Sequence, residues 1–151
     1  MIKVASSGVV RVREVMTTNV LTIAFGSTLQ EAATLLHEAR VGGAPVVDPQ
    51  GRVMGMLSKT DLLDPRRNLG PDAAVGDVMT HVLFGVRAED PLAWAICLMV
   101  DEHVHRVVVT DEAGKLVGIV TALDVLKRLA PQTAEDEVGF RYVDLRRDPP
   151  A

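Results

Sequence analysis

Apolar residues recur at three- and four-residue steps in two stretches of the chain: Leu29, Ala32, Ala33, Leu36 and Ala39, then Leu92, Ala95, Ile96 and Met99. That spacing puts each set on one face of a helix. Short apolar runs precede them, Val20-Leu21-Thr22-Ile23 and Val82-Leu83-Phe84, set off from the helices by the turn-prone Gly26-Ser27 and Asp90-Pro91. Both runs are partly β-branched or aromatic and read as strands. Beyond each helix lies a pair of strand-like runs, Pro45-Val46-Val47 with Val53-Met54-Gly55-Met56-Leu57, and Arg106-Val107-Val108-Val109 with Leu116-Val117-Gly118-Ile119-Val120. Their connectors, Asp48-Pro49-Gln50-Gly51 and Asp111-Glu112-Ala113-Gly114, carry Asp first and Gly fourth. This is the signature of a type I turn and predicts two hairpins. A final helix opens at Ser58 or Thr121 and carries Leu62-Leu63 or Val125-Leu126. The predicted order is β-α-β-β-α, twice.

The two halves are copies. Laying Val15-Met16-Thr17 on Val78-Met79-Thr80, an offset of 63 positions, also pairs Leu29 with Leu92, Ala32 with Ala95, Val46 with Val109, Asp48 with Asp111, Gly55 with Gly118 and Asp61 with Asp124, without a gap. Two copies of this length suit a two-lobed module better than a solenoid or propeller. A unit of roughly 60 residues buries only about 60% of its unfolded surface and is marginal alone. The expected fold is therefore α/β in the α+β sense, two β-α-β-β-α units packed sheet to sheet with pseudo-twofold symmetry. The expected boundaries are an N-terminal segment 1–11, units at 12–68 and 69–130, and a tail at 131–151. In the tail, polar Gln132 to Glu137 precede a short apolar alternation from Val138 to Val143 that fits an added strand, a partner-binding tail or a loose end.

Composition narrows the function classes. With 48% hydrophobic and 24% charged residues the chain is an ordinary packed protein, and a net charge of −4 argues against a nucleic-acid footprint. The longest apolar run, Leu92 to Val100, is less than half the roughly 20 residues that a spanning helix needs, and no secretory leader is evident. The single cysteine, Cys97, is expected to be a buried thiol, and the cytoplasm is the expected compartment. His103 and His105 lack a clear third ligand, so no metal is expected. No nucleophile and base motif is evident, so no enzyme or catalytic residue is expected.

Several motifs occur in order, twice: Val-Met-Thr before a short strand, Leu29-x-x-Ala32-Ala33, Pro45-Val46-Val47-Asp48-x-x-Gly51, and Gly55-Met56-Leu57-Ser58-x-x-Asp61, matched by Gly118-Ile119-Val120-Thr121-x-x-Asp124. Over residues 12–130 the chain resembles a tandem pair of cystathionine-β-synthase-like (CBS) domains, a Bateman module. The resemblance implies two clefts between the units that take an adenosyl ligand such as AMP, ADP, ATP or S-adenosylmethionine, and that report occupancy to a protein partner. It also implies a homodimer formed through the first helix of each unit. There Trp94 replaces Glu31 of the first copy. No resident cofactor is implied; the adenosyl molecule is a regulatory ligand.

The residues themselves offer a chemistry for that ligand. Ser58 and Thr121 open helices, where free N–H groups and partial positive charge favour a phosphate. Asp61 and Asp124, three residues on, are placed to accept both hydroxyl hydrogens of a ribose. The same spacing is also a capping box, and the two roles are compatible. By the resemblance, the adenine ring lies near Val20, Leu21, Ala44 and Pro45 in the first unit, and near Leu83, Phe84 and Val107 in the second. His105-Arg106 stands where the first unit has Gly42-Gly43. Arg106 is the expected anion ligand, and the two clefts are expected to be unequal. The expected function is a regulatory adenosyl-binding module; the alternative is a ligand-free dimerisation or adaptor module whose serine, threonine and aspartates only cap helices.

Overall fold

The computed structural model describes residues 8–67, 69–81 and 83–130; the alternation expected at 138–143 lies outside them. The first unit contains β1 (Ile23–Ala24), α1 (Leu29–Glu38), β2 (Gly43–Val47), β3 (Val53–Ser58) and α2 (Lys59–Leu62). The second repeats the order as β4 (Gly85–Val86), α3 (Leu92–Asp101), β5 (Arg106–Thr110), β6 (Leu116–Thr121) and α4 (Ala122–Leu129). Each unit has a three-stranded sheet, β1 parallel to β2 and β2 antiparallel to β3, with the same pattern in β4, β5 and β6.

Local chemistry accounts for the repeated elements. Thr28 caps α1, taking the Glu31 N–H on its hydroxyl at 3.2 Å while the Glu31 carboxylate takes the Thr28 N–H at 2.9 Å. In both hairpins the aspartate binds the turn backbone. Asp48 Oδ1 accepts from the N–H groups of Gln50 and Arg52, and Asp111 Oδ1 accepts from those of Ala113 and Lys115, each at 2.9 Å. Gly51 and Gly114 complete the turns at φ of 82° and 78°, a region open to glycine and strained for other residues.

The first strand of each unit is shorter and later than its apolar run predicts. Pairing with β2 begins at Ile23, opposite Val46, and pairing with β5 begins at Gly85, opposite Val108. Val20, Leu21, Leu83 and Phe84 stand before the ladders; their apolar character serves cavities between the units. The helix opened by Ser58 stops at Leu62, ahead of Asp64-Pro65, because proline supplies no N–H and its predecessor avoids helical backbone. Its counterpart α4 has no such stop and runs eight residues.

The two cores are sealed crosswise. In the first, Ile23, Leu36, Val46 and Leu57 pack with Val75, Val78 and Met79, which precede the second unit's strands. In the second, Ala95, Val107, Val109 and Val120 pack with Val12, and the half-buried Val15 and Met16 join them. Backbone pairs hold each lead-in segment on the opposite sheet: Thr17 and Ile119 exchange N–H···O bonds of 2.9 and 3.0 Å, and Thr80 and Met56 exchange bonds of 2.8 and 3.0 Å. Val12 and Val75 are fully buried and occupy equivalent positions.

Cys97 is exposed, which corrects the expectation of a buried thiol. The reason lies in the uniformity of α3. Its inward stripe is Leu92, Ala95 and Met99, while its outward stripe, Ala93, Trp94, Cys97 and Val100, is also apolar or weakly polar. Trp94 is 58% and Val100 65% exposed. The equivalent stripe of α1 is Gln30, Glu31, Thr34 and His37. No helix among the described residues is long and apolar enough to cross a membrane.

Candidate functional site

Two cavities open between the units, of about 490 and 450 Å³. The first is lined by Ser58, Lys59, Thr60 and Asp61 from the β3–α2 junction, by Leu83 and Phe84 of the other unit, and by His103 to Arg106. The second is lined by Thr121, Ala122, Leu123 and Asp124 from the β6–α4 junction, by Val20 and Leu21 of the other unit, and by Gly43, Pro45 and Arg106. Nearly every lining residue of one lies 63 positions from a lining residue of the other. Each cavity therefore combines the capped junction of one unit with the lead-in of its partner unit, because the crosswise seal carries those lead-ins across.

This arrangement regroups the expected site residues. Leu83 and Phe84 face Ser58 and Asp61, while Val20, Leu21 and Pro45 face Thr121 and Asp124. Ala44 and Val107 line neither cavity. They alternate with cavity-facing neighbours along β2 and β5 and point into the two cores, 1% and 0% exposed. Thr17 and Thr80, which the sequence reading did not single out, line the second and first cavities. Their position 63 apart, beside the repeated methionines, was the available signal.

Both junctions are closed capping boxes. The Ser58 N–H and hydroxyl each donate to Asp61 Oδ2 at 2.9 Å, and the Thr121 N–H donates to Asp124 Oδ2 at 2.8 Å. The return bonds, from the N–H groups of Asp61 and Asp124 to the Ser58 and Thr121 hydroxyls, are 3.4 and 3.2 Å. Among the described residues, Oδ1 of each aspartate takes no hydrogen bond, so each carboxylate can serve its cap and still accept from a ligand.

Arg106 stands between the cavities and lines both. Its Nη1 donates to the Gly43 carbonyl at 2.6 Å. A methyl group at Gly42 would lie 3.1 Å from Nη2, and one at Gly43 would lie 2.8 Å from Nη1, so the guanidinium rests on bare backbone. Burial pulls its pKa below the ordinary arginine value, and no carboxylate among the described residues pairs with it. A half-buried cation without a charged partner retains donors that can take an anion. His105 also touches both cavities, whereas Lys59 and His103 line only the first, where the second has Ala122 in place of Lys59. No three histidine, cysteine or acidic residues come together among the described residues.

The sequence model of the CBS domain matches residues 12–66 and 75–131. The chain belongs to the CBS-domain family. YhcV of Bacillus subtilis, a CBS domain-containing protein, is 35% identical over 116 residues, 76% of this chain and 81% of YhcV. The uncharacterised protein MJ1232 of Methanocaldococcus jannaschii is 32% identical over 84% of this chain, which spans only 42% of that relative's length. Among solved structures, CBSX2 in complex with AMP superposes with a TM-score of 0.72 at 29% identity, over 79% of this chain and 95% of that one. The pair of CBS domains, each β-α-β-β-α, thus has both the sequence and the architecture of that family.

Proposed function

We propose that this CBS pair is a cytoplasmic regulatory protein that binds an adenine nucleotide between its units and signals occupancy to a protein partner, without catalysing a reaction. The observation that carries the reading is the pair of repeat-related cavities, each with an apolar wall, an aspartate with a free Oδ1, and access to Arg106. Adenine stacks against Leu83 and Phe84 in the first cavity and against Val20, Leu21 and Pro45 in the second. The ribose hydroxyls bind Asp61 or Asp124, and the phosphate turns to Arg106. The AMP held by CBSX2, a protein of the same fold, supports the ligand class. Lys59 makes the first cavity the better phosphate site; S-adenosylmethionine, which brings a cation, suits the second better. The outward stripe of Trp94, Cys97 and Val100 supports a homodimer through α3.

Calorimetric titration with AMP, ADP, ATP and S-adenosylmethionine tests the proposal. Asp61→Ala should weaken adenine-nucleotide binding at its own cavity by roughly 10- to 100-fold, the worth of hydrogen bonds to a charged group. Asp124→Ala should do the same at the other. Each variant should lose only about 0.5–2 kcal/mol of stability, as for a helix cap. Absence of binding and of thermal stabilisation by all four compounds at millimolar concentration would leave the adaptor reading, since a ligand of the folded state stabilises it by mass action.

A further inference from the structure

We infer that the two cavities compete for the single guanidinium of Arg106, so that a phosphate-bearing ligand held in one cavity weakens the other for a second. This rests on the adenine-nucleotide reading and adds a coupling between the two sites. Arg106 and Gly43 are equivalent positions of the repeat, 63 apart, and they touch each other. The arginine of one copy therefore lies on the backbone of its own counterpart, at the point where the pseudo-twofold axis brings the two units together. There is room for one such side chain. A methyl at Gly43 would already sit 2.8 Å from both Arg106 Nη1 and the Leu57 carbonyl, so a second arginine is excluded at the position where symmetry would put it.

The consequence is a shared charge. Two cavities built from equivalent residues have one flexible cation between them, and its present partner is a neutral carbonyl. A phosphate in the Ser58–Asp61 cavity, which also has Lys59, draws the guanidinium to that side and leaves the Thr121–Asp124 cavity with only His105 beside its phosphate position. The coupling is reciprocal, because whatever the first ligand takes from the second, the second must take from the first. An uncharged adenosyl ligand makes no demand on Arg106 and is not subject to the competition.

Calorimetry with AMP and with adenosine tests this on the whole chain. The two AMP dissociation constants should differ at least tenfold more than the two adenosine constants do, and Arg106→Gln should cut that excess to the part that Lys59 supplies. In Asp61→Ala, which weakens the first cavity so that AMP enters the second without a phosphate already drawing on Arg106, AMP should bind the second at least fivefold tighter than in the second step of the wild type. This arm does not depend on an Arg106 variant folding. Equal excess in wild type and Arg106→Gln would assign the effect to Lys59 or to repulsion between phosphates and overturn the sharing. Unchanged second-cavity affinity in Asp61→Ala, or two equal AMP steps, would overturn it as well while leaving the nucleotide reading intact. Failure of both AMP and adenosine to bind the wild type would overturn both.

Discussion

Val12→Asp should remove most of the protein's stability, and the damage should appear in the second unit, although Val12 belongs to the first. Val12 is fully buried among Val86, Val107, Val109 and Val120, and the described core contains no buried polar or charged residue to receive a carboxylate. An unpaired buried charge costs about 3–5 kcal/mol, against the 5–15 kcal/mol that holds a typical domain. Urea melts would measure the loss, and native-state hydrogen exchange would locate it. Protection should collapse first on β5 and β6, with β2 and β3 affected later. Val75→Asp, the equivalent change, should reverse that order. Early loss on β2 and β3 in Val12→Asp would contradict the crosswise sealing of the cores.

Gly55→Ala should destabilise the protein by about 2–3 kcal/mol, toward the upper end for overpacking a tight site. The new methyl would lie 2.6 Å from Met79 Sδ and 2.8 Å from the Thr80 carbonyl. The thioether can rotate away, but the carbonyl is held by the Met56 N–H at 3.0 Å, so the lead-in must lift from the sheet. The repeat supplies an internal control. At Gly118 the same methyl would meet Met16 Sδ at 2.8 Å and the Thr17 carbonyl at 3.1 Å, a distance that a few tenths of an ångström relieves. Gly118→Ala should therefore cost about 1 kcal/mol. Denaturation midpoints of the two variants, measured side by side, check the ranking; an equal or greater loss at Gly118 contradicts it.

Much of this structure was legible in the amino-acid pattern, for a physical reason. Hydrophobic periodicity and turn chemistry are local, so α1, α3 and both hairpins follow from them almost to the residue. The 63-residue offset is as visible in the sequence as in the cavities. What was hidden is which copy a segment packs against. A repeat looks the same whether Val12 seals its own core or its partner's, since the exchange leaves every spacing unchanged. The regrouping of Leu83 and Phe84 with Asp61 was invisible for that reason. Cys97 was hidden differently. A helix apolar on both stripes loses the contrast by which periodicity distinguishes inside from outside. The relation of Arg106 to Gly43, by contrast, was within reach: equivalent positions on a pseudo-twofold axis meet, and an arginine facing a glycine is the pairing that such a meeting permits.

The crosswise seal also bears on how such a protein comes to exist. A single unit, alone in solution, has a core open at the place where the other copy's valine belongs and carries a valine with nowhere to go. Two such units remedy both defects by trading their leading segments, which is the arrangement of a swapped dimer. The exposed stretch around Arg66, Gly70, Pro71 and Asp72 is where the two halves of such a dimer connect within one chain. Joining them there makes the exchange intramolecular and frees the halves to diverge. Only after such a joining can one copy keep an arginine at the axis while the other keeps a glycine, since in a dimer of identical chains both positions would have to be the same residue.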